Sequence, residues 1–272
     1  MSKGTIITMG GDIDLQPDTP LFKEFFNQAQ KITPGTPTIG IIPTASGDPD
    51  TSLDGYKRLF GSLSSKTIMI NPKDRQEANS EMMIEKVEDC DAYFLTGGHQ
   101  LRITAIIGGT AVVDKIKDKF ENGALIGGTS AGSVCLSSLM ITGETISRPF
   151  VHGQVKFTQG LGFIPDMAID THFVERGRFP RLIHVVSENP VVQGIGIGEG
   201  TATVWNFQNE KFKVIGRNTV AVVEGKNIKK NNAPELAFGE TVSVSGITVH
   251  VLSGGSIFDF RKGEMSLPEN TN

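Results

Sequence analysis

The sequence predicts an α/β fold with a parallel sheet built from βαβ units. Through the first half of the 272-residue chain, short apolar runs typical of buried strands alternate with segments of helical spacing. These runs end in glycine-rich turns, and the turns should converge because ligand sites of parallel sheets lie at the carboxyl ends of the strands. An apolar content of 38% is sufficient for a large core, and 32 glycines indicate many tight turns.

Each element of the first half follows from its local pattern. Apolar runs predict strands at residues 5–9, 38–42, 67–70, 92–95 and 124–126. Helices are predicted where apolar residues recur at helical spacing, as Phe22, Phe25 and Ala29 do. The predicted helices cover residues 22–29, 56–63, 80–87, 101–107 and 112–121.

The second half has a different pattern. Residues 167–172 are extended, residues 173–186 have helical spacing with a break or a fresh start at Pro180, and residues 191–197 are apolar. Alternation then predicts β-hairpins, with strands at residues 202–206, 219–223, 241–244 and 248–251. Since no Pro-, Ser- or Gly-rich linker interrupts the chain, we expect one domain over residues 1–272, with a frayed tail from about residue 262.

Residues 128–132 (GTSAG) match the G-x-S-x-G pattern of a nucleophile elbow. An apolar run enters this segment and a run of small residues leaves it, so a strand, a sharp turn and a helix can follow one another. Such a turn would expose the hydroxyl of Ser130 and direct free backbone N–H groups towards its target. A glycine-rich turn without catalytic function is the alternative interpretation of the motif alone.

A serine nucleophile needs a base, usually a histidine that a third group orients. His184 lies in an apolar helical segment, His152 lies in a polar hairpin, and His250 lies in the middle of a strand. The order Ser130, Glu199, His250 would match that of α/β-hydrolases, but their base is carried on a loop. His172 ends an extended run, and Glu199 likewise follows an apolar run, between two glycines.

Composition narrows the class of protein. A net charge of −4 argues against a general nucleic-acid binder, and no apolar run approaches the length of a membrane span. The N-terminus lacks the features of a signal peptide, and two cysteines allow at most one disulfide, so we expect a cytoplasmic enzyme. No metal or organic cofactor is expected, because the H-E-x-x-H, cysteine-cluster and G-x-G-x-x-G patterns are missing from the sequence.

Four segments in order resemble cyanophycinase, of the serine peptidase family that also includes the aspartyl dipeptidases (peptidase E). They are residues 94–100 (FLTGGHQ), 127–132 (GGTSAG), 170–178 (DTHFVERGR) and 194–202 (GIGIGEGTA). The resemblance extends from the first strand to about residue 255. It implies a three-layer α/β/α sandwich with a mostly parallel central sheet, similar to the glutamine amidotransferase (flavodoxin-like) fold, with additional C-terminal β-hairpins.

The resemblance implies a role for each matching residue in a single peptidase domain. Ser130 would be the nucleophile, His172 the base and Glu199 the acid that orients it. The oxyanion would be bound by the N–H of Ala131 and by that of Gly97 or Gly98. The residues implied in substrate binding are Gln100, Asp170, Thr171, Arg176, Arg178 and Arg181.

The resemblance implies a serine-type exopeptidase. Its implied substrate is cyanophycin, a polyaspartate with arginine on each β-carboxyl, from which the family releases β-aspartyl-arginine dipeptides. Three positions depart from the family pattern: His99 and Gly198 each replace an aspartate, and Thr171 replaces a glutamine. Two alternatives therefore stay open, an aspartyl dipeptidase or other acidic-peptide hydrolase, and an inactive binding protein on the same scaffold. A homodimer is expected from the resemblance.

Overall fold

The computed structural model describes residues 3–143 and 148–268. In these ranges the helices are α1 Pro20–Ile32, α2 Pro49–Ser62, α3 Glu81–Glu88, α4 Gln100–Ile107, α5 Ala111–Glu121, α6 Ala131–Val134 and α7 Phe179–Glu188. The strands are β1 Thr5–Met9, β2 Thr38–Ile42, β3 Lys66–Met69, β4 Ala92–Leu95, β5 Leu125–Thr129, β6 Ser137–Ile141, β7 Phe157–Gln159, β8 Ile164–Thr171, β9 Gln193–Ile197, β10 Thr201–Asn206, β11 Lys211–Gly216, β12 Val220–Glu224, β13 Lys230–Asn231, β14 Val244–Ser245, β15 Thr248–Leu252, β16 Ile257–Asp259 and β17 Glu264–Ser266.

The first sheet has the strand order β17-β16-β11-β10-β1-β5-β4-β2-β3. Pairing is parallel from β1 across to β3, while β10, β11, β16 and β17 extend the sheet in antiparallel fashion. The parallel strands are the five predicted from apolar runs in the first half. The predicted α/β class with a parallel central sheet is therefore confirmed.

Helices cover both faces of the parallel strands. On one face, Phe22 and Phe25 of α1 and Phe60 of α2 pack with Phe94 of β4 in a buried aromatic cluster. On the other face, α4 and α5 contribute Ile103, Ile116 and Phe120 to a core that also contains Ile126 of β5. The three-layer α/β/α arrangement follows from these two apolar interfaces.

A second sheet has the order β15-β12-β9-β8-β6-β7, and β6, β8 and β9 in it are parallel. Ile169 of β8 and Ile195 of β9 share the core of the first sheet. Helix α7 covers the opposite face with Leu182 and Val185. The second half of the chain thus forms a layer that packs against the first sheet, and the ends of β8 and β9 lie next to that sheet.

Several element boundaries differ from the prediction. Residues 173–178 form turns, and α7 begins only at Phe179, with Pro180 in its first turn. The predicted strand at 241–244 is reduced to the short strand β14. The expected frayed tail is wrong for residues 264–266, which pair with β16 as β17; residues 269–272 lie outside the described residues.

Within the described ranges, no helix is long and apolar enough to span a bilayer.

Candidate active site

Ser130 lies in the turn between β5 and α6, as the elbow motif predicts. Its backbone has φ 51° and ψ −118°, a strained conformation for a residue with a side chain. A Cβ on Gly128 would lie 2.5 Å from the carbonyl oxygen of Gly132, so the motif glycine permits a contact that alanine would block. Strain of this kind persists only when the surrounding structure enforces it.

Neighbouring hydrogen bonds enforce the turn. The N–H of Ser130 donates to the carbonyl of Met9 at 3.1 Å, which joins the elbow to the end of β1. The buried Ser133 hydroxyl accepts from the Met9 N–H at 2.8 Å and donates to the carbonyl of Gly128 at 2.6 Å. The conformation of the elbow therefore depends on β1 as well as on its own strand and helix.

Ser130, His172 and Glu199 form a continuous hydrogen-bonded chain. The Oγ of Ser130 lies 3.0 Å from Nε2 of His172, and Nδ1 of His172 lies 2.6 Å from Oε1 of Glu199. Since a carboxylate only accepts, Nδ1 carries the proton and Nε2 is free to accept the serine proton. The imidazole is about nine-tenths buried. The three groups can therefore perform the proton transfers of acyl transfer.

His172 directly follows β8 and has a left-handed backbone, with φ 48°. Its N–H donates to the carbonyl of Gly10 at 2.8 Å, and its ring lies on the Cα of Gly11. A Cβ on Gly11 would overlap Cε1 and Nε2 of the imidazole. The turn after β1 thus packs beneath the ring of His172. The sequence predicts that glycine-rich strand-end turns converge, but it does not indicate this contact between Gly11 and His172.

Glu199 lies in the turn between β9 and β10, where the N–H of Gly200 donates to the carbonyl of Gly11 at 3.1 Å. The N–H of Glu199 donates to Oε2 of Glu175 at 3.2 Å, and Oε1 of Glu175 accepts from Nδ2 of Asn218. These two contacts anchor the loop that carries the acid. Neither Glu175 nor Asn218 was predicted as a site residue, although Glu175 lies within the family segment 170–178, since their partners are distant in the sequence.

The candidate oxyanion donors lie around Ser130. The N–H of Ala131 is the first of α6 and has no intrahelical acceptor. A Cβ on Gly97 would lie 3.4 Å from Cβ of Ser130, so this glycine borders Ser130. Gly98, at φ 141°, instead packs against the carbonyl of Ala45, which makes it a turn residue. Of the two predicted alternatives, Gly97 is the neighbour of Ser130.

Asp170 and Arg181 were predicted to bind substrate, and the structure corrects that prediction. Asp170 is fully buried, and its Oδ2 accepts from Nε of Arg181 at 2.6 Å. Arg178 donates to Oδ1 of Asp170 at 3.3 Å and to the carbonyl of Thr171 at 2.6 Å. Asp170 thus binds the chain's own guanidinium groups, because a buried carboxylate needs a partner.

The pKa of Arg178 depends on its position in this buried network. Burial lowers the pKa of its guanidinium to about 10, and the carboxylate of Asp170 opposes that shift. Arg178 therefore remains cationic near neutral pH and forms the second ion pair of Asp170. The predicted substrate contact of Arg178 is replaced by this structural one.

The remaining predicted substrate residues differ in accessibility. Thr171 is 2% exposed and lies within β8. Gln100 is buried, and its Nε2 donates to the carbonyl of Ile141 at 2.9 Å. Arg176 and His99 are exposed, the former on the turn directly after His172 and the latter at the start of α4. Arg176 is thus the predicted arginine that solvent reaches.

A pocket of about 870 Å³ is lined in part by the residues that follow Gly11 and Glu199 in the chain. It combines three carboxylates with one guanidinium, so it presents charges of both signs. The sequence assigned none of these residues to a substrate pocket, since they become neighbours only through the turns after β1, β9 and β11. The lining residues are Asp12, Ile13, Asp14, Asp18, Thr19, Pro20, Leu21, Gly200, Gly216 and Arg217.

Comparison with known proteins identifies the family of the chain. The family model of peptidase family S51 matches residues 6–215. A cyanophycinase of Geminocystis herdmanii is 30% identical over 260 residues, covering 94% of each chain, and one of Synechococcus elongatus is 29% identical over 261 residues, covering 95% of this chain and 80% of the relative.

Solved structures show the same fold at lower identity. A peptidase from an acI-B1 Actinobacterium superposes with a TM-score of 0.68 at 19% identity, covering 89% of this chain and 97% of the other. A putative peptidase E of Listeria monocytogenes superposes with a TM-score of 0.56 at 17% identity, covering 79% and 99%. With a family match over most of its length, this chain is a serine peptidase that belongs to peptidase family S51.

Proposed function

We propose that this protein hydrolyses cyanophycin to β-aspartyl-arginine dipeptides, with Ser130 as nucleophile, His172 as base and Glu199 as orienting acid. The observation that carries the proposal is the hydrogen-bonded chain from Ser130 Oγ through His172 to Glu199, at 3.0 and 2.6 Å. The cyanophycinases that match nearly the whole chain support the substrate.

The reaction proceeds by acyl transfer. The Oγ of Ser130 forms a bond to the carbonyl carbon of a peptide while Nε2 of His172 takes the hydroxyl proton. That proton then passes to the leaving amine as the C–N bond breaks, which leaves an acyl-enzyme. Water activated by His172 hydrolyses the ester and regenerates Ser130, while Glu199 stabilises each imidazolium that forms.

Two N–H groups are assigned to the oxyanion, those of Ala131 and Gly97. The position of Ala131 at the first turn of α6 and the contact of Gly97 with Ser130 support this assignment. Removing one such donor typically raises the barrier by roughly 3 kcal/mol. Arg176 is the arginine assigned to a substrate carboxylate, since it is exposed and lies in the turn that follows His172.

Incubation of the purified protein with cyanophycin, followed by mass spectrometry, tests the proposal. We expect β-aspartyl-arginine to be the main product, and Ser130→Ala to abolish its release. Substrates with blocked ends distinguish exopeptidase from endopeptidase action. Full activity in Ser130→Ala would refute the assigned nucleophile, whereas release of longer fragments only would refute exopeptidase action.

A second candidate is hydrolysis of other β-aspartyl or short acidic peptides. It is favoured by His99, Thr171 and Gly198, which depart from the cyanophycinase pattern around the site. A panel of α- and β-aspartyl dipeptides separates the candidates: turnover of these peptides without release from cyanophycin selects the second. If neither is cleaved and Ser130 does not react with a serine-directed phosphonate, the chain is an inactive binding protein.

Two further proposals concern the setting of the enzyme. One is a homodimer, which sedimentation analysis tests by the mass in solution. The other is a cytoplasmic location, which fractionation of the native cells tests.

A further inference from the structure

His152, His184 and Glu188 form a second cluster of titratable side chains. None of the three belongs to the proposed triad. His184 and Glu188 lie one turn apart on α7, and His152 lies in the turn that follows Val151. Oε1 of Glu188 is 2.7 Å from Nδ1 of His152 and 3.0 Å from Nε2 of His184. One ligand atom from each residue thus falls within 4.8 Å of the other two.

We propose that His152, His184 and Glu188 bind a divalent transition-metal ion of the Zn²⁺ class. Two imidazoles and a carboxylate are a ligand set that zinc proteins use when one coordination position stays open. Ligand atoms about 2.0–2.2 Å from a tetrahedral zinc lie roughly 3.3–3.5 Å from one another. The observed separations of 2.7 and 3.0 Å are shorter by roughly 0.3–0.8 Å, so Oε1 of Glu188 must move away from both imidazoles to admit an ion.

The surroundings of the cluster suit a cation. With both imidazoles neutral, the cluster carries the single negative charge of Glu188, whose side chain is only 16% exposed. His184 is fully buried on the inner side, while His152 is about one-third exposed, so an ion and its fourth ligand, water, can enter past His152.

The backbone of His152 is held in place before any ion binds. Its N–H donates to the carbonyl of Glu240 at 2.8 Å, and its carbonyl accepts from the N–H of Gly239 at 3.1 Å. A bound ion would therefore tie three parts of the second half together: the turn of His152, the C-terminal end of α7 and the hairpin around residue 240. We expect such an ion to raise the midpoint of thermal unfolding, since it binds the folded state selectively.

The tautomer of His184 sets the strength of binding. Its Nε2 faces Glu188 and donates there, while Nδ1 is buried without a hydrogen-bond partner among the described residues. To bind a metal through Nε2, the ring must move its proton to Nδ1, where no acceptor supports it. A hydrogen bond to the second ring nitrogen of a ligand histidine typically raises metal affinity 10–100-fold. Since Nδ1 of His184 has no such partner among the described residues, we expect a roughly micromolar dissociation constant and weaker binding than at structural zinc sites.

Zinc titration of the untagged, chelator-treated full chain against a colorimetric chelator tests the proposal. We expect one equivalent to bind with roughly micromolar affinity. Co²⁺ in its place should give the intense visible spectrum of a four-coordinate site. His152→Ala should weaken binding by roughly 100-fold or more and abolish both the cobalt spectrum and the thermal shift.

Two control variants locate the ion. His250 makes a similar contact, Nε2 to Oε2 of Glu224 at 3.0 Å, outside the cluster, so His250→Ala should keep the zinc equivalent. His172→Ala should also keep it, which excludes binding at the triad. Should His152→Ala fail to fold, the isosteric Glu188→Gln provides the same test.

The site is refuted if wild-type protein binds no zinc at micromolar concentrations. It is equally refuted if His152→Ala and Glu188→Gln bind zinc as tightly as wild type. In either case the cluster is a hydrogen-bonded contact that fixes the His152 turn to α7.

Discussion

The Cα of Gly11 lies directly beneath the imidazole of His172, so closely that a Cβ at residue 11 would overlap Cε1 and Nε2 of the ring. Nε2 of His172, the nitrogen proposed to accept the serine proton, thus packs against the strand-end turn of β1. The same turn also binds the backbone of the two loops that carry His172 and Glu199. The carbonyl of Gly10 accepts from the N–H of His172, and the carbonyl of Gly11 accepts from the N–H of Gly200. The position of the His172 ring therefore depends on the absence of a side chain at residue 11.

Gly11→Ala should lower kcat by roughly 100-fold, because displacing a catalytic group by about 1 Å has that effect. Steady-state kinetics on the cleaved substrate measures it. Gly35→Ala is the matched control: Gly35 has a similar φ of 102°, but a Cβ there meets nothing within 4 Å. Gly35→Ala should strain the backbone at a positive φ in the same way but leave kcat unchanged. Equal losses of kcat in the two variants would contradict the proposed effect of a side chain at residue 11 on His172.

Glu199→Gln should lower kcat by roughly 10⁴-fold, since an amide facing Nδ1 can donate and so favours the tautomer with its proton on Nε2. That tautomer cannot accept the proton of Ser130. KM should change little, because the glutamine occupies the same volume. Near-wild-type kcat in this variant would remove Glu199 from the proposed triad.

Glu175→Ala should lower kcat by roughly two- to tenfold, the range expected for one exposed hydrogen bond to the Glu199 loop. Glu175→Gln should recover much of the loss, since its amide oxygen can still accept from the N–H of Glu199. Kinetics of both variants at saturating substrate separates this positioning role from substrate binding. A rise in KM with unchanged kcat would show instead that Glu175 contacts substrate.

Arg181→Leu should lower the free energy of unfolding by about 3–5 kcal/mol, since it leaves the fully buried Asp170 with one of its cationic partners removed. Urea denaturation measures the change. Arg176→Leu, at an exposed position, should alter stability by less than about 0.5 kcal/mol and raise KM if Arg176 binds substrate carboxylate. Unchanged stability in Arg181→Leu would restore its assignment to substrate.

Cys90 and Cys135, both free and buried, should resist thiol reagents in the folded protein. Burial raises the pKa of both thiols, that of Cys90 from 9.0 to about 12, and the thiolate is the reactive form. Labelling at pH 8 should be slow when folded and should reach two equivalents in denaturant. Rapid labelling of the folded chain would place a thiol at the surface.

The raised pKa of Cys90 has a consequence for stability. Between pH 9 and about pH 12 the unfolded thiol loses its proton while the folded one keeps it. The contribution of Cys90 to stability is therefore complete below pH 9 and decreases as pH rises through that window. Cys90→Ser should flatten the alkaline part of the stability profile.

The parallel sheet and the elbow were predicted from the sequence because their signals are local. Strand-length apolar runs, helical spacing and the glycines around Ser130 each constrain a few consecutive residues. His172 and Glu199 were identified by position too, each at the end of an extended run, although their roles came from family resemblance. The tertiary structure supplied the distances of 3.0 and 2.6 Å that join them to Ser130.

The charged residues after β8 could not be assigned from sequence. Asp170, Arg178 and Arg181 have the composition of a binding site, and whether they face solvent or one another depends on how α7 packs against the sheet. Gly11, Glu175 and Asn218 were overlooked for the same reason, since their partners lie far away along the chain. The sequence by itself determined the elements of the parallel sheet and the elbow that carries Ser130, because those depend on local pattern. The tertiary structure alone decided which charges are buried in pairs and what supports the base, because burial and pairing depend on residues brought together by the fold.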